Sequence, residues 1–239
     1  MIKKPINQND SYKLELLNSI GYDYVFDNNP INHLKDKTIQ SNTSKKDKTK
    51  KLENLKNEIN SIEDCKLKKN SQQIVFADGN INSPLMIIGE APGKKENQSG
   101  KAFNDVDGEL LKKMLLAINI KKNNVYLTYV VNYRPPDDRK PNTDEIKRYS
   151  IFLQKHVSII NPKIIILMGS TAMEALTGLN SKISTERGKW REVIIKNTNY
   201  NVMITFNPSY LLRFPENKKY SWEDLKKIKQ KIMDLNLSI

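Results

Sequence analysis

The 239-residue chain has one cysteine, Cys65, and two histidines, His33 and His156. A single thiol excludes an internal disulfide, and it excludes any metal or iron–sulfur site built only from this chain's thiolates. Two histidines leave little material for a zinc site. No run approaches the ~20 apolar residues that a membrane span needs. The opening Met1-Ile2-Lys3-Lys4-Pro5 lacks the apolar stretch of a signal peptide, so the cytoplasm is the expected compartment. Glycine is also scarce, at nine residues, and no phosphate loop is present: Gly100-Lys101 is followed by Ala102 instead of Ser or Thr. Acidic side chains are in deficit, with 27 Asp and Glu against 40 Lys and Arg, a formal net charge of +13. The isoelectric point is about 9.5 and the mean hydropathy −0.63. Such an excess points to a polyanionic partner, most simply nucleic acid. A general lysine bias of the sequence is the plainer alternative.

The charge is unevenly placed. Residues 1–80 carry 14 Lys and no Arg against 11 acidic residues, so ten of the thirteen net positive charges lie further on. Residues 9–20 read as a short amphipathic helix, with Tyr12, Leu14, Leu17 and Ile20 available to one side. Residues 28–52 have almost no apolar periodicity and end in Ser44-Lys45-Lys46-Asp47-Lys48-Thr49-Lys50-Lys51, the composition of a flexible linker. A charged helix follows, with Leu52, Leu55, Ile59 and Ile62 at helical spacing. The expected organisation is an N-terminal extension over 1–60 and a domain over 61–239.

From Pro84 onward the pattern changes. Leu85–Ile88, Val125–Val131, Ile164–Met168 and Val202–Phe206 read as buried strands, with helices between them. Leu110, Leu111, Met114, Leu115 and Ile118 form one helical stripe. Ile146, Tyr149, Phe152, Leu153, Val157 and Ile160 form another. A third helix follows Gly169-Ser170, with a capping box from Thr171 to Glu174 and a stop at Gly178. A last one runs from Ser221 to about Leu235. Continuous apolar strands alternating with helices predict an α/β fold with a parallel sheet covered on both faces. In such sheets ligands sit beyond the carboxyl ends of the strands. Those ends are the Gly89–Gly93 turn, the Asn132–Arg139 loop, the Gly169-Ser170 turn and the Asn207–Pro215 loop.

The turn Gly89-Glu90-Ala91-Pro92-Gly93-Lys94-Lys95-Glu96 brings backbone close to a ligand and places two carboxylates at the mouth. The plain alternative is an ordinary turn with solvated glutamates. Phe103, in a polar loop, is suited to stack on a base or to anchor the loop in the core. In the Asn207–Pro215 loop, Ser209 and Arg213 are suited to phosphate. Leu211 and Leu212 either wedge into a base stack or start a helix and are buried. Arg187 and Lys189, with Arg134 and Arg139, add positive charge to the same edge; taken singly, each is an ordinary solvated charge.

Together these blocks resemble the family-4-type uracil-DNA glycosylases. The shared pattern comprises Gly89 to Glu96, Gly100-Lys101-Ala102-Phe103, Arg134-Pro135-Pro136, Arg187-Gly188 and Asn207-Pro208-Ser209-Tyr210-Leu211-Leu212-Arg213, in order over about residues 62–235. The resemblance implies a three-layer α/β/α sandwich with a central four-stranded parallel sheet. It implies hydrolysis of the N-glycosidic bond of uracil, or a related damaged base, in DNA after base flipping. A weakened or inactive glycosylase-like DNA-binding protein is the second reading. Glu90, Glu96 and Asn207 are the implied catalytic residues. Gly89, Ala91, Pro92, Gly93, Phe103 and Tyr129 are the implied substrate contacts, with Phe103 stacking on the extruded base. Arg187, Lys189, Ser209, Leu211, Leu212 and Arg213 are the implied DNA contacts. DNA containing uracil or a damaged base is the implied partner, a membrane is not, and a monomer is expected.

Departures from the family pattern carry expectations of their own. Tyr129 replaces an Asn that reads the uracil edge, and one hydroxyl cannot copy an amide's paired donor and acceptor. Asn207 replaces a His, and Asn104-Asp105 replace Val-Gly. The family carries a four-iron cluster on four cysteines. Here Cys65 remains, while the other three positions fall on Ile62, Tyr133 and Tyr149. The expectation is therefore no cluster, no metal and no cofactor.

Overall fold

A computed structural model describes residues 37–239, with side-chain surroundings from residue 46 onward. The helix expected over 9–20 and the first part of the expected linker lie outside the described residues. The chain divides into two compact units, Met1–Asn42 and Thr43–Ile239. Residues 37–42 of the first are helical.

Residues 37–52 correct the linker expectation, because they belong to a helix, α1 (Lys37–Asn60). The segment holds no Pro or Gly to break it, and tertiary contacts outweigh its weak periodicity. Leu52, Leu55 and Ile59 are buried in the core. Lys48 Nζ donates to the carbonyls of Ile81 and Ile160, at 3.3 and 3.1 Å. The boundary expected at residue 60 thus falls at the end of a helix packed on the domain. A one-turn helix, α2 (Lys66–Lys69), follows.

The sheet has six strands: β1 (Ala77–Gly79), β2 (Leu85–Gly89), β3 (Tyr126–Tyr129), β4 (Ile164–Met168), β5 (Trp190–Ile195) and β6 (Thr198–Thr205). Their order is β1-β3-β2-β4-β6-β5. The inner four, β3-β2-β4-β6, are parallel and correspond to the four strands expected from sequence. The edges β1 and β5 are antiparallel additions. β1 is too short to show a pattern. β5 is only partly buried, and its Arg191 and Glu192 mask it as a strand. Lys196 and Asn197, both with positive φ, turn β5 back into β6.

Alternate residues of the parallel strands face opposite layers, which makes the fold a three-layer α/β/α sandwich. Met86, Ile88, Ile165 and Leu167 pack on one side with α1, α5 (Thr143–Ile160) and α6 (Ser170–Thr177). Leu85, Ile87, Ile164 and Ile166 pack on the other with α4 (Val106–Ala117) and α9 (Lys218–Asp234). Short helices α3 (Lys94–Ser99), α7 (Ile183–Glu186) and α8 (Pro208–Arg213) sit in the connections. The last helix begins three residues before the expected Ser221. That serine lies inside it, with its buried hydroxyl unpaired among the described residues. No helix among the described residues is long and apolar enough to cross a membrane.

A buried histidine gives the fold a pH dependence. His156 stacks on Phe76 at 4.5 Å, and its Nε2 lies 2.6 Å from the Tyr126 hydroxyl. Burial pulls its pKa down to about 3 from an ordinary 6.5. Between those values the unfolded chain binds a proton that the folded chain refuses, so this contribution to stability is intact above about pH 6.5 and lost as pH falls toward 3. Replacing His156 by Gln is expected to flatten the fall in melting temperature between pH 6.5 and 4. An unchanged slope would remove His156 as its cause.

Candidate functional site

The turn after β2 is shaped by what lies beneath it. A Cβ on Gly89 would stand 2.7 Å from the Phe103 ring and 2.8 Å from the Tyr129 ring, so the strand can end here only in glycine. Those two buried rings stack on each other, with centroids 4.7 Å apart. Phe103 itself sits at φ +53°, a left-handed conformation that an aromatic residue adopts at a cost. Contacts on either side hold it there. Its N–H donates to the Tyr129 hydroxyl at 2.8 Å, and its carbonyl accepts from Lys122 Nζ at 2.6 Å. Gly89→Ala is expected to destabilise the domain by about 1–3 kcal/mol by forcing these rings apart. Chemical denaturation measures the difference, and a loss below about 0.5 kcal/mol would show that the rings yield freely.

Glu96 is buried and fixes the same loop. Its Oε1 accepts from the N–H groups of Asn104 and Asp105 at 2.8 and 3.0 Å, and its Oε2 accepts from Gly93 N–H at 3.2 Å. The carboxylate therefore ties the Gly93 turn to the Phe103 loop. Glu90 is only partly buried, and its Oε2 accepts a short hydrogen bond from the Thr171 hydroxyl at the start of α6. The expected Thr171–Glu174 capping box does not form, since α6 has no side-chain cap and Thr171 is committed to Glu90. After β6, Asn207 caps α8: its Oδ1 accepts Ser209 N–H at 3.3 Å, which orients the amide NH2 away from that bond.

These segments meet around one cleft of about 340 Å3. Glu90, Ala91, Pro92, Gly93, Glu96, Phe103 and Tyr129 line it from one side of the sequence, Asn207, Ser209 and Leu212 from the other. Gly89 lies just beneath, under the two rings. Tyr129 forms part of the wall, yet its hydroxyl is engaged by Phe103 N–H and burial pushes its pKa well above the ordinary 10. Asn132, three residues on, is buried and holds the Val75 and Phe76 carbonyls. Asp107, which sequence reasoning passed over, also lines the cleft. Its distance of four residues from Phe103 is the signal that the sequence offers.

The basic residues divide in the structure. Arg187 departs from its expected place as a DNA contact: it is paired with the fully buried Asp224 of α9, Nε to Oδ2 at 3.0 Å, and it also donates to the Tyr220 carbonyl. Arg134 pairs with Asp138 at 2.6 Å and Arg139 with Glu145 at 2.7 Å. Lys189 is exposed and only loosely near Glu186, at 4.0 Å. Arg213 is exposed and Lys94 lies on the cleft, and neither makes an ion pair among the described residues. The two leucines also part. Leu211 is buried in the core, whereas Leu212 is 41% exposed at the rim. A neighbouring hollow shares Glu90, Asn207 and Ser209 with the cleft and adds Lys140 and Arg213.

The Uracil DNA glycosylase superfamily profile matches residues 76–228. A type-4 uracil-DNA glycosylase of Sulfurisphaera tokodaii is 35% identical over 184 residues, covering 75% of this chain and 84% of the relative. That of Thermotoga maritima is 33% identical, covering 69% and 86%. That of Archaeoglobus fulgidus is 30% identical, covering 74% and 91%.

These relatives overturn the expectation of a cofactor-free protein. They are type-4 enzymes, the kind with which the resemblance associates a four-iron cluster, so a cluster is what the kinship implies. The described residues do not fit one held by this chain alone. Among them no group of three or more His, Cys, Asp or Glu could hold a metal ion. Cys65 is buried with its Sγ 3.3 Å from the Tyr149 hydroxyl, and the Tyr133 hydroxyl donates to Asn60 Oδ1 at 2.6 Å. Two of the positions that the resemblance assigns to thiolates thus carry buried, hydrogen-bonded phenols. No step below is routed through a cluster.

Proposed function

The chain belongs to the uracil DNA glycosylase superfamily, and from that premise we propose that it hydrolyses the bond between uracil and deoxyribose in DNA, opening base excision repair. The observation that carries this reading is the cleft on which the Glu90 turn and the Asn207–Leu212 segment converge. Its volume lies in the range of small-ligand sites, about 300–1,000 Å3. A base inside a duplex cannot reach it, so the nucleotide leaves the stack first. Leu212, exposed at the rim, fills the gap left in the stack in this reading. Ser209, Arg213, Lys94 and Lys189 supply contacts to phosphate.

Within the cleft the uracil lies against the Phe103–Tyr129 wall. The Asn207 amide NH2 donates to a uracil oxygen, where negative charge grows as the bond breaks. Glu90, held by Thr171, orients the attacking water and takes its proton as the deoxyribose passes through an oxocarbenium-like state. Glu96 acts on the reaction through the Phe103 loop, because its carboxylate accepts from the backbone N–H groups of Gly93, Asn104 and Asp105: it is a positioning residue. DNA is the partner, the cytoplasm the compartment and the monomer the working form. The test is release of uracil from a single-stranded oligonucleotide, read as alkali-labile abasic sites. Abasic sites that scale with enzyme support the reading. None at stoichiometric enzyme over hours would reject it in favour of DNA binding without cleavage.

A further inference from the structure

A second hollow lies beside the cleft. Helices α4, α8 and α9 frame about 210 Å3, with Leu110 and Met114 from the first, Leu211 from the second and Leu225 from the third. Two of these helices join it to the cleft. On α4, Asp107 lines the cleft and Leu110, almost one turn further, lines the hollow. On α8, Leu212 lines the cleft and Leu211 lines the hollow. Three residues of helix advance about 4.5 Å, against ~3.4 Å between neighbouring nucleotides along a strand. A strand that places one nucleotide in the cleft therefore carries a near neighbour past the hollow.

The lining suits a nucleobase. Trp222 of α9 belongs to it and is 42% exposed, so its indole is open to a guest. The adjacent Ser221 is buried, and its hydroxyl has no hydrogen-bond partner among the described residues. A buried hydroxyl without a partner is costly, and a guest that carries a donor or acceptor relieves it. A base has such a polar edge beside its apolar faces, whereas an aliphatic side chain has none. Lys113 and Lys218 border the hollow, both exposed and neither in an ion pair among the described residues. Lys112, by contrast, is held by Glu109 at 3.7 Å. Two free ammonium groups match the phosphates on either side of a base.

We propose that this hollow is a second base subsite. A nucleotide close to the uracil in the same strand stacks its base on Trp222, hydrogen-bonds to Ser221 and sets its phosphates on Lys113 and Lys218. The inference rests on the uracil-release reading above for the course of the strand. A base within a duplex keeps its faces against its neighbours and cannot offer one to Trp222, so the subsite favours single-stranded DNA.

The test is a set of binding measurements on single-stranded oligonucleotides whose central 2′-fluoro-2′-deoxyuridine resists cleavage. At each of the three positions on either side, one base in turn is replaced by an abasic spacer. With the unaltered protein, one of these spacers is expected to raise Kd by about 5–150-fold, the weight of one base stacked on an aromatic ring. With Trp222→Ala, the same spacer is expected to change Kd by less than about twofold. Each spacer is compared with the full strand on one protein, so partial misfolding cancels. Ser221→Ala is expected to weaken binding of the full strand by about 2–10-fold without lowering the melting temperature, because the hydroxyl supports nothing in the free protein. Trp190→Phe leaves Trp222 as the one tryptophan of the chain, and the full strand is expected to quench its emission. Equal spacer effects with and without Trp222, or an emission unchanged at saturation, would overturn the subsite and leave the hollow to a protein partner. Spacer effects as expected, with no uracil released from a cleavable strand, would overturn the reading of the cleft and support the base subsite.

Discussion

Glu90→Gln is expected to slow uracil release by about 10²–10⁴-fold, the usual share of a positioned general base. The argument is geometric. Glu90 directly follows the buried strand β2, is partly exposed to the cleft, and is held by a hydroxyl from the start of α6. Glutamine keeps an oxygen for the Thr171 hydroxyl, so the loop stays in place while the proton acceptor and the negative charge are lost. Single-turnover rates isolate the chemical step from product release. A melting temperature unchanged within a few degrees separates lost chemistry from lost fold. If the rate stayed within about threefold of the unaltered protein, the water would have to be activated elsewhere and the assignment of Glu90 would fail.

Asp224→Ala is expected to cost about 3–5 kcal/mol of stability, the range for breaking one half of a buried ion pair. Asp224 is completely buried, and it accepts from Arg187 and, at 2.7 Å, from the Thr205 hydroxyl at the end of β6. Burial pushes its carboxyl upward, opposed by Arg187 and Thr205. Removing it strands the Arg187 guanidinium, whose side chain is only 15% exposed, and leaves Thr205 without its acceptor. This contact also joins α9 to the strand that leads into Asn207, so local loosening would reach the cleft. Urea unfolding measures the difference. A loss under about 1 kcal/mol would mean that Arg187 swings out to solvent, as an exposed pair would allow.

The inner strands were legible because a buried parallel strand is a continuous apolar run, and Leu85–Ile88 and Ile164–Met168 are such runs. The edge strands were not, since β1 is three residues long and β5 is half polar. The position of the cleft was legible from the chain ends of those strands. What each side chain does there was not, because the deciding partners lie far off in sequence. Thr171 reads locally as a helix cap, yet its hydroxyl serves Glu90, 81 residues earlier. Arg187 reads as a free cation beside a glycine, yet Asp224, 37 residues later, neutralises it. Leu211 and Leu212 look alike in a sequence, and only the pitch of α8 buries the first and exposes the second. The lysine-rich stretch before residue 52 read as linker because it has almost no apolar periodicity, and what ties it down, Lys48 on the carbonyls of Ile81 and Ile160, leaves no such pattern.

The most direct measurement is a crystal structure of the protein with a single-stranded oligonucleotide carrying 2′-fluoro-2′-deoxyuridine, whose fluorine slows cleavage by destabilising the cationic sugar. The uracil ring should lie in the cleft between the Glu90 turn and Asn207, against Phe103 and Tyr129, with Leu212 beside the gap in the strand. A uracil that stays stacked with its neighbours outside the cleft, while the strand is bound in full, would contradict the account.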